Sequence, residues 1–146
     1  MCANYLAERV LSAAEAYDLA QVVVQAGGQL QLQVAGRSMH PILPDQTLVT
    51  IAGLPKRIPL GSVVLTKVGQ RVVIHRLLWR KHQRYLIAGD ACPYFDGWIE
   101  GSVIVAQAVS WQVASKSLRV NSVWRWYQWV VAWLRHARRW LIQHLR

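Results

Sequence analysis

Hydrophobic and polar residues alternate with two different periods along this chain. A segment of alanine and apolar residues follows Ser12-Ala13-Ala14-Glu15, a capping box in which serine and glutamate side chains satisfy each other's backbone amides. Gly27-Gly28 ends the helix that this segment predicts. From residue 30 the period changes to two, because Leu30, Leu32 and Val34 alternate with glutamines. This alternation is typical of a half-buried strand.

Further segments rich in Val, Ile and Leu are separated by turn signals such as Pro44-Asp45, Gly61 and Gly89-Asp90. Lys81-His82-Gln83 is expected to turn a hairpin between two of them. These further predicted strands cover residues 48–52, 62–67, 72–79, 84–88 and 102–113. The pattern therefore predicts a mostly antiparallel β domain of about six strands, either a coiled sheet or a small barrel.

The chain accordingly divides into an N-terminal helical segment (1–28), a β domain (29–120) and a C-terminal helix (121–146) that begins at Asn121-Ser122. The first residues carry charges such as Glu8 and Arg9 and no long apolar run, so we expect neither a signal peptide nor a membrane anchor there. Because no uncharged apolar run reaches the length of a membrane span, any membrane contact is expected to be peripheral.

Composition narrows the possible functions. Apolar residues make up 53% of the 146 residues, and the formal net charge is +10. The first value excludes a disordered chain, and the second suggests nucleic acid or an anionic membrane as partner. The two cysteines, Cys2 and Cys92, form neither a disulfide framework nor a zinc motif. We expect no metal and no cofactor.

Half of the net charge belongs to residues 121–146, which contain five arginines, no acidic residue and five of the eight tryptophans. On a helix at 100° per residue the apolar side chains cover a wide arc, and most polar side chains lie opposite. The apolar arc contains Val123, Tyr127, Val130, Leu134, Leu141 and Leu145, flanked by Trp126, Trp129, Trp133 and Trp140; the polar side contains Arg125, Gln128, Arg135, Arg139, Gln143 and Arg146. We interpret this segment as an in-plane anchor on an anionic membrane. One alternative is a helix packed on the β domain. A second is a segment that stacks on single-stranded nucleic acid. The second is less favoured because it would leave the aliphatic face of the helix unexplained.

The candidate chemistry begins in the loop from Val34 to Pro41. Ser38 lies there between a glycine turn at Gly36 and a proline, so the loop is expected to present its hydroxyl and local amides to one point, as acyl transfer requires. From this loop alone, an ordinary turn serine is the better explanation. Two later features add weight: His75 lies within an aliphatic strand, and Asp90 and Asp96 are six residues apart in a chain with seven acidic residues.

In order along the chain, these segments resemble the type I signal peptidases and the related LexA-like self-cleaving proteins. The matching motifs are Gly36-Arg37-Ser38-Met39-His40-Pro41, Gly61-Ser62-Val63-Val64, His75-Arg76 and Gly89-Asp90. The resemblance covers roughly residues 34–108. A histidine at position 75, and an aspartate six residues after the Gly-Asp turn, are similar to the endoplasmic-reticulum and archaeal type.

The resemblance implies a serine endopeptidase that cleaves signal or leader peptides after small residues. It implies Ser38 as nucleophile, His75 as general base and Asp96 as third member of a triad, although Asp90 remains open for that last role. Gly36, Arg37 and Met39 would belong to the substrate or oxyanion site, with the Met39 side chain either lining the cleft or packed beneath the loop. Arg76 and Asp90 would be structural, and we expect them to pair. In this interpretation Lys67, His40, His82, His136 and His144 are solvated, and Cys92 is not a nucleophile.

The chain departs from the family in three places. Gly36 replaces a serine whose hydroxyl adds to the oxyanion hole, Ser62 replaces an aspartate, and we expect no N-terminal membrane anchor. The first departure keeps open a catalytically inactive module that binds membrane surfaces. A LexA-like regulator is disfavoured because no helix-turn-helix precedes the domain, and no nucleic-acid partner is expected.

Overall fold

The computed structural model describes residues 11–145. Within this range the chain forms two α-helices, eight strands and one short 3₁₀ turn at Gly101–Val103. The elements are α1 (Ala13–Gln25), β1 (Leu30–Gln33), β2 (Leu48–Ala52), β3 (Val63–Val68), β4 (Arg71–Lys81), β5 (Arg84–Ala88), β6 (Gly97–Glu100), β7 (Ile104–Val113), β8 (Lys116–Arg119) and α2 (Ser122–His144).

The strands form one antiparallel sheet that curls into a half-barrel. Its order is β1-β2-β7-β3-β4-β5-β6, with β8 paired to β7. The predicted mostly-β class, with a helix at either end, is confirmed. The predictions about residues 1–10, and about Arg146, lie outside the described residues.

Two apolar clusters hold the sheet together. The larger one contains Tyr17 and Ala20 of α1 together with Met39, Leu43 and Trp111, so α1 closes one side of the half-barrel. The smaller one includes Ile58, Val64, Leu77, Tyr85, Ile87, Ile99 and Ile104. The predicted capping box at the start of α1 is present, because Ser12 and Glu15 bond each other's backbone amides at 2.8 and 3.2 Å.

Helix α2 packs on the β domain through its polar side. Gln128, Ala132 and His136, spaced four residues apart, are its buried residues. The opposite side is exposed and apolar, and Leu134 retains 65% of its accessible surface. The anticipated contact with the β domain is therefore real. It uses the buried side chains together with the half-buried Trp129 and Trp133, and it leaves most of the aliphatic side chains of the helix exposed. We call this exposed arc the outward face; it comprises Val123, Trp126, Tyr127, Leu134, Leu141 and Leu145.

Helix α2 contacts the β domain at a bulge in β4. The β4–β5 register shifts between Leu77 and Trp79, which leaves Leu78 as the extra residue. The indole Nε1 groups of Trp129 and Trp133 both donate to the Leu78 carbonyl, at 2.7 and 3.3 Å. Trp79 then stacks on Trp129 and meets Trp133 edge-on. These contacts tie α2 firmly to β4, the strand that carries His75.

Candidate active site

The loop that carries Ser38 runs from the end of β1 into a tight turn. Gly36 has a φ of +97°, a conformation that suits glycine, and its amide donates to Asp45 Oδ1 at 2.7 Å. The His40 amide donates to the Arg37 carbonyl at 3.1 Å, which closes a turn around Ser38. Ser38 is half-buried at the tip of this loop.

His75 and Asp96 form a hydrogen-bonded pair. His75 lies in the middle of β4 and is only 4% exposed, and its Nδ1 is 2.5 Å from Asp96 Oδ2. A carboxylate on Nδ1 favours the tautomer with its proton there, which leaves Nε2 as the proton acceptor. Asp96 also lies 3.8 Å from Arg71, whose side chain is mostly solvated. Of the two aspartates that the sequence left open, Asp96 is thus the one bonded to His75.

Asp90 has a different partner. Arg76 Nε and Nη2 donate to the two oxygens of Asp90 at 2.8 and 2.7 Å, and Arg76 Nη1 donates to the Gly61 carbonyl at 2.8 Å. Both side chains are almost fully buried, so this bidentate pair is an internal brace between β4 and the following loop. The predicted pairing of Arg76 with Asp90 is confirmed.

Gly89 brings the loop that carries Ser38 and the histidine together. A Cβ placed on Gly89 would lie 2.6 Å from the Ser38 carbonyl oxygen and 3.0 Å from His75 Nε2. Only glycine permits that approach. The Ala91 amide donates to the Ser38 carbonyl at 2.8 Å and fixes the two loops to each other. Nε2 of His75 and the carbonyl oxygen of Ser38 thus both lie beside Gly89.

Ser38 and His75 line the same cleft, whose volume is about 290 Å³. Residues 32–35 border it on one side, residues 72–75 of β4 border it on the other, and the start of α1 closes one end. Within residues 11–145 the bond of His75 is to Asp96, and no bond joins the histidine to the Ser38 hydroxyl. Catalytic hydrogen bonds of this kind are often long before substrate binds.

The three residues predicted to line the substrate or oxyanion site differ in position. Gly36 and Arg37 are exposed beside the cleft. Met39 is 1% exposed and belongs to the core, and its sulfur accepts from the Asp90 amide at 3.4 Å. Of the two positions open to Met39, packed beneath the loop or lining the cleft, the structure shows the first. The Ser62 hydroxyl, which stands where the family has an acid, is buried without a partner among the described residues.

The thiol of Cys92 and the ammonium of Lys67 are unsuited to catalysis at this site. Burial, assisted by the charge of Asp96, raises the pKa of the Cys92 thiol, so the thiol stays protonated and unreactive at neutral pH. The Lys67 ammonium lies 4.3 Å from the ring centroid of Tyr17. The sequence predicts a solvated Lys67, but this residue is half-buried over that ring. It also lies outside the cleft that Ser38 lines.

The prediction that His136 is a solvated surface residue is wrong. It is buried where α2 meets the loop between β5 and β6. Burial, reinforced by the charges of Arg139 and Arg135, lowers its pKa below the usual value, and the carboxylates of Asp90 and Asp96 oppose this. Helical periodicity indicates which face of a helix a residue occupies but not what that face contacts.

Among residues 11–145, no helix combines the length and apolarity needed to cross a bilayer. Comparison of the chain with protein-family models, with curated proteins and with solved structures gives no match.

Proposed function

We propose that this chain is a serine endopeptidase of the signal-peptidase type that works at a membrane surface. Its substrates would be signal or leader peptides with small residues before the scissile bond, as the resemblance implies. The observation that carries the proposal is the His75–Asp96 pair at 2.5 Å, in a cleft that Ser38 also lines.

The proposed reaction uses the three side chains in the usual order of a serine triad. The Ser38 oxygen attacks the scissile carbonyl carbon, and its proton passes to Nε2 of His75. The carbon–nitrogen bond breaks, and His75 returns the proton to the leaving amine. Water then attacks the acyl ester with His75 again as base, which releases the new carboxylic acid and restores the serine hydroxyl. Asp96 holds the ring orientation and stabilises the imidazolium that forms in each step.

The edges of the cleft suit an extended peptide. Among the described strands, β1 pairs only with β2, and residues 71–74 of β4 pair only with β3 because β5 joins β4 from Arg76 onwards. Strand edges of this kind bind a peptide by main-chain hydrogen bonds. The half-buried Leu32 and Val72 beside Ser38 are apolar contacts for its side chains.

The proposal extends to a membrane because of the outward face of α2. An apolar helix face of this length is rarely left uncovered by a soluble monomer. Arg138 is exposed within it, and Leu134, Leu141 and Leu145 flank that arginine in a shallow groove. Arginine beside aliphatic and tryptophan side chains is the pattern of a helix that lies in an anionic headgroup region.

The test of the peptidase is cleavage of a leader peptide by the full chain in the presence of anionic vesicles. Ser38→Ala should abolish cleavage, whereas Ser115→Ala, a serine in the turn between β7 and β8, should not change it. Equal activity of Ser38→Ala and wild type would refute the nucleophile. Absence of cleavage by wild type on a panel of peptides with small residues before the bond would instead favour the inactive binding module.

The test of the membrane contact is flotation with phosphatidylglycerol vesicles and with neutral phosphatidylcholine vesicles. Burying a leucine contributes about 1.5–3 kcal/mol, so Leu134→Gln should weaken binding to anionic vesicles about tenfold or more. Leu118→Gln, on the exposed side of β8, is the matched control and should bind as wild type does. If Leu134→Gln leaves vesicle binding intact and instead changes the oligomeric state, the outward face is an interface between copies.

A further inference from the structure

Helix α2 also contacts the loop that carries Asp96. This loop, residues 89–96, connects β5 to β6, and we call it the aspartate loop. Arg139 Nη1 donates to the carbonyl of Cys92 at 2.5 Å. The ring of Phe95, the residue immediately before Asp96, stacks on His136 with a centroid separation of 4.8 Å and meets Trp133 at 6.0 Å.

Near Asp96, few other contacts fix the conformation of the aspartate loop. The Asp96 amide donates to the Ile87 carbonyl at 2.9 Å, and the side chain bonds His75. Pro93, Tyr94 and Phe95 are exposed, so no core packing fixes these residues. The contacts of Cys92 and Phe95 with α2 therefore help to hold the backbone between Cys92 and Asp96 in place.

We propose that α2 positions the triad: Arg139 and the His136–Phe95 stack hold the aspartate loop so that Asp96 meets His75. This inference rests on the proposed function for its catalytic meaning, but the geometry that it concerns is measurable without activity. Arg139, His136 and Phe95 are positioning residues, since none of them lies at the cleft. The helix that presents the outward face to a membrane thus also sets the hydrogen bond on which the base depends.

The neighbouring arginines provide a matched pair for the test. Arg139 reaches the aspartate loop, whereas Arg138 is exposed on the other side of the same helix. Arg139→Met and Arg138→Met each remove one positive charge. The spectra are recorded without vesicles, so the membrane contact proposed for Arg138 plays no part and the loss of the Cys92 contact distinguishes the two variants. Phe95→Leu is a second variant that removes the ring stack at an exposed position, where folding does not depend on it. Thermal unfolding verifies that each variant is folded.

The main readout is the downfield proton resonance of His75 Nδ1–H in NMR spectra of the full chain, assigned by its loss in Asp96→Asn. Arg139→Met and Phe95→Leu should shift or broaden it, and amide hydrogen exchange across residues 92–96 should accelerate. Arg138→Met should change neither. An Arg139→Met spectrum and exchange pattern like those of wild type would overturn the proposal.

The kinetic readout is the separation of kcat from KM. Displacing a catalytic group by about 1 Å costs up to about 100-fold in rate, so Arg139→Met should lower kcat about 10- to 100-fold with little change in KM. Arg139→Lys, which retains a donor, should recover part of kcat. If Ser38→Ala proves fully active, the proposed function fails, while the NMR and exchange results still decide whether α2 positions Asp96.

Discussion

Replacing each of the two aspartates with asparagine separates catalysis from stability at this site. Asp96 bonds His75, and Asp90 bonds Arg76. Asn is nearly isosteric with Asp but lacks the charge, and its amide group cannot hold the imidazole in the same tautomer. Asp96→Asn therefore tests the triad, whereas Asp90→Asn tests the buried brace.

For Asp96→Asn we expect a large kinetic effect and a moderate structural one. The wrong tautomer in a serine triad lowers kcat by about 10⁴, which corresponds to about 5.4 kcal/mol of barrier. The lost hydrogen bond costs about 1–3 kcal/mol of folding free energy. The nearby Arg71 adds little, because at 3.8 Å and largely solvated it is a weak pair.

For Asp90→Asn the expectation is reversed. Its side chain and that of Arg76 are 2% and 1% exposed, so the variant leaves a guanidinium buried without a counter-charge. Breaking such a pair costs about 3–5 kcal/mol. The folding free energy should fall by that amount, while kcat per folded molecule stays near the wild-type value.

The assay combines urea unfolding, followed by tryptophan fluorescence, with kcat for leader-peptide cleavage. The folded fraction from the unfolding curve converts each rate into kcat per folded molecule. A folded Asp96→Asn protein that cleaves at a rate close to wild type would refute the role of Asp96. An Asp90→Asn protein with full stability and a 10⁴-fold loss of kcat, as an order of magnitude for a lost triad member, would assign the triad to Asp90 instead.

Three further outcomes are expected. Gly89→Ala places a methyl group 2.6 Å from the Ser38 carbonyl oxygen, so kcat should fall about 100-fold, with about 1–3 kcal/mol of stability lost to overpacking; unchanged kinetics would contradict this geometry. Burial lowers the pKa of His136, so below about pH 6.5 the unfolded chain binds more protons than the folded one and stability falls as the pH falls. His136→Gln should therefore reduce the fall in Tm between about pH 7.5 and 5.5. A fall in Tm as large as that of wild type would argue against this role of His136. Cys92→Ala should retain cleavage and thiol reagents should not inhibit wild type, because burial raises the pKa of this thiol; inactivation by such reagents at pH 7 would count against the serine mechanism.

The strands were predictable wherever burial imposes a pattern. The predicted segments 48–52 and 84–88 coincide with β2 and β5. Each is a short run rich in apolar residues that lies between clear turn signals. Strands β6 and β8 were missed. Each has only four residues, and β8 is exposed throughout, so hydrogen bonding to a neighbour defines it rather than any hydrophobic period.

The site was predictable only in part. Gly36 and Pro41 indicated a shaped loop around Ser38, but nothing local connects His75 with Asp96, which is 21 residues away. The resemblance to the signal peptidases predicted that connection. Periodicity alone indicates which face of an element a residue occupies, but not which loop it will contact. The bonds of Arg76 and Arg139 are of the same non-local kind.

The orientation of α2 could not be predicted from the sequence. A helical wheel separates two faces, and the usual expectation is that the apolar one packs inwards. Here the bulge at Leu78 presents a carbonyl that two indole N–H groups bind, and the aspartate loop presents another to Arg139. These polar requirements are met only by the side that carries Trp129, Trp133 and Arg139, so the aliphatic arc is left to face outwards. In the proposed function a membrane covers that arc, and the same helix then stands between the bilayer and Asp96.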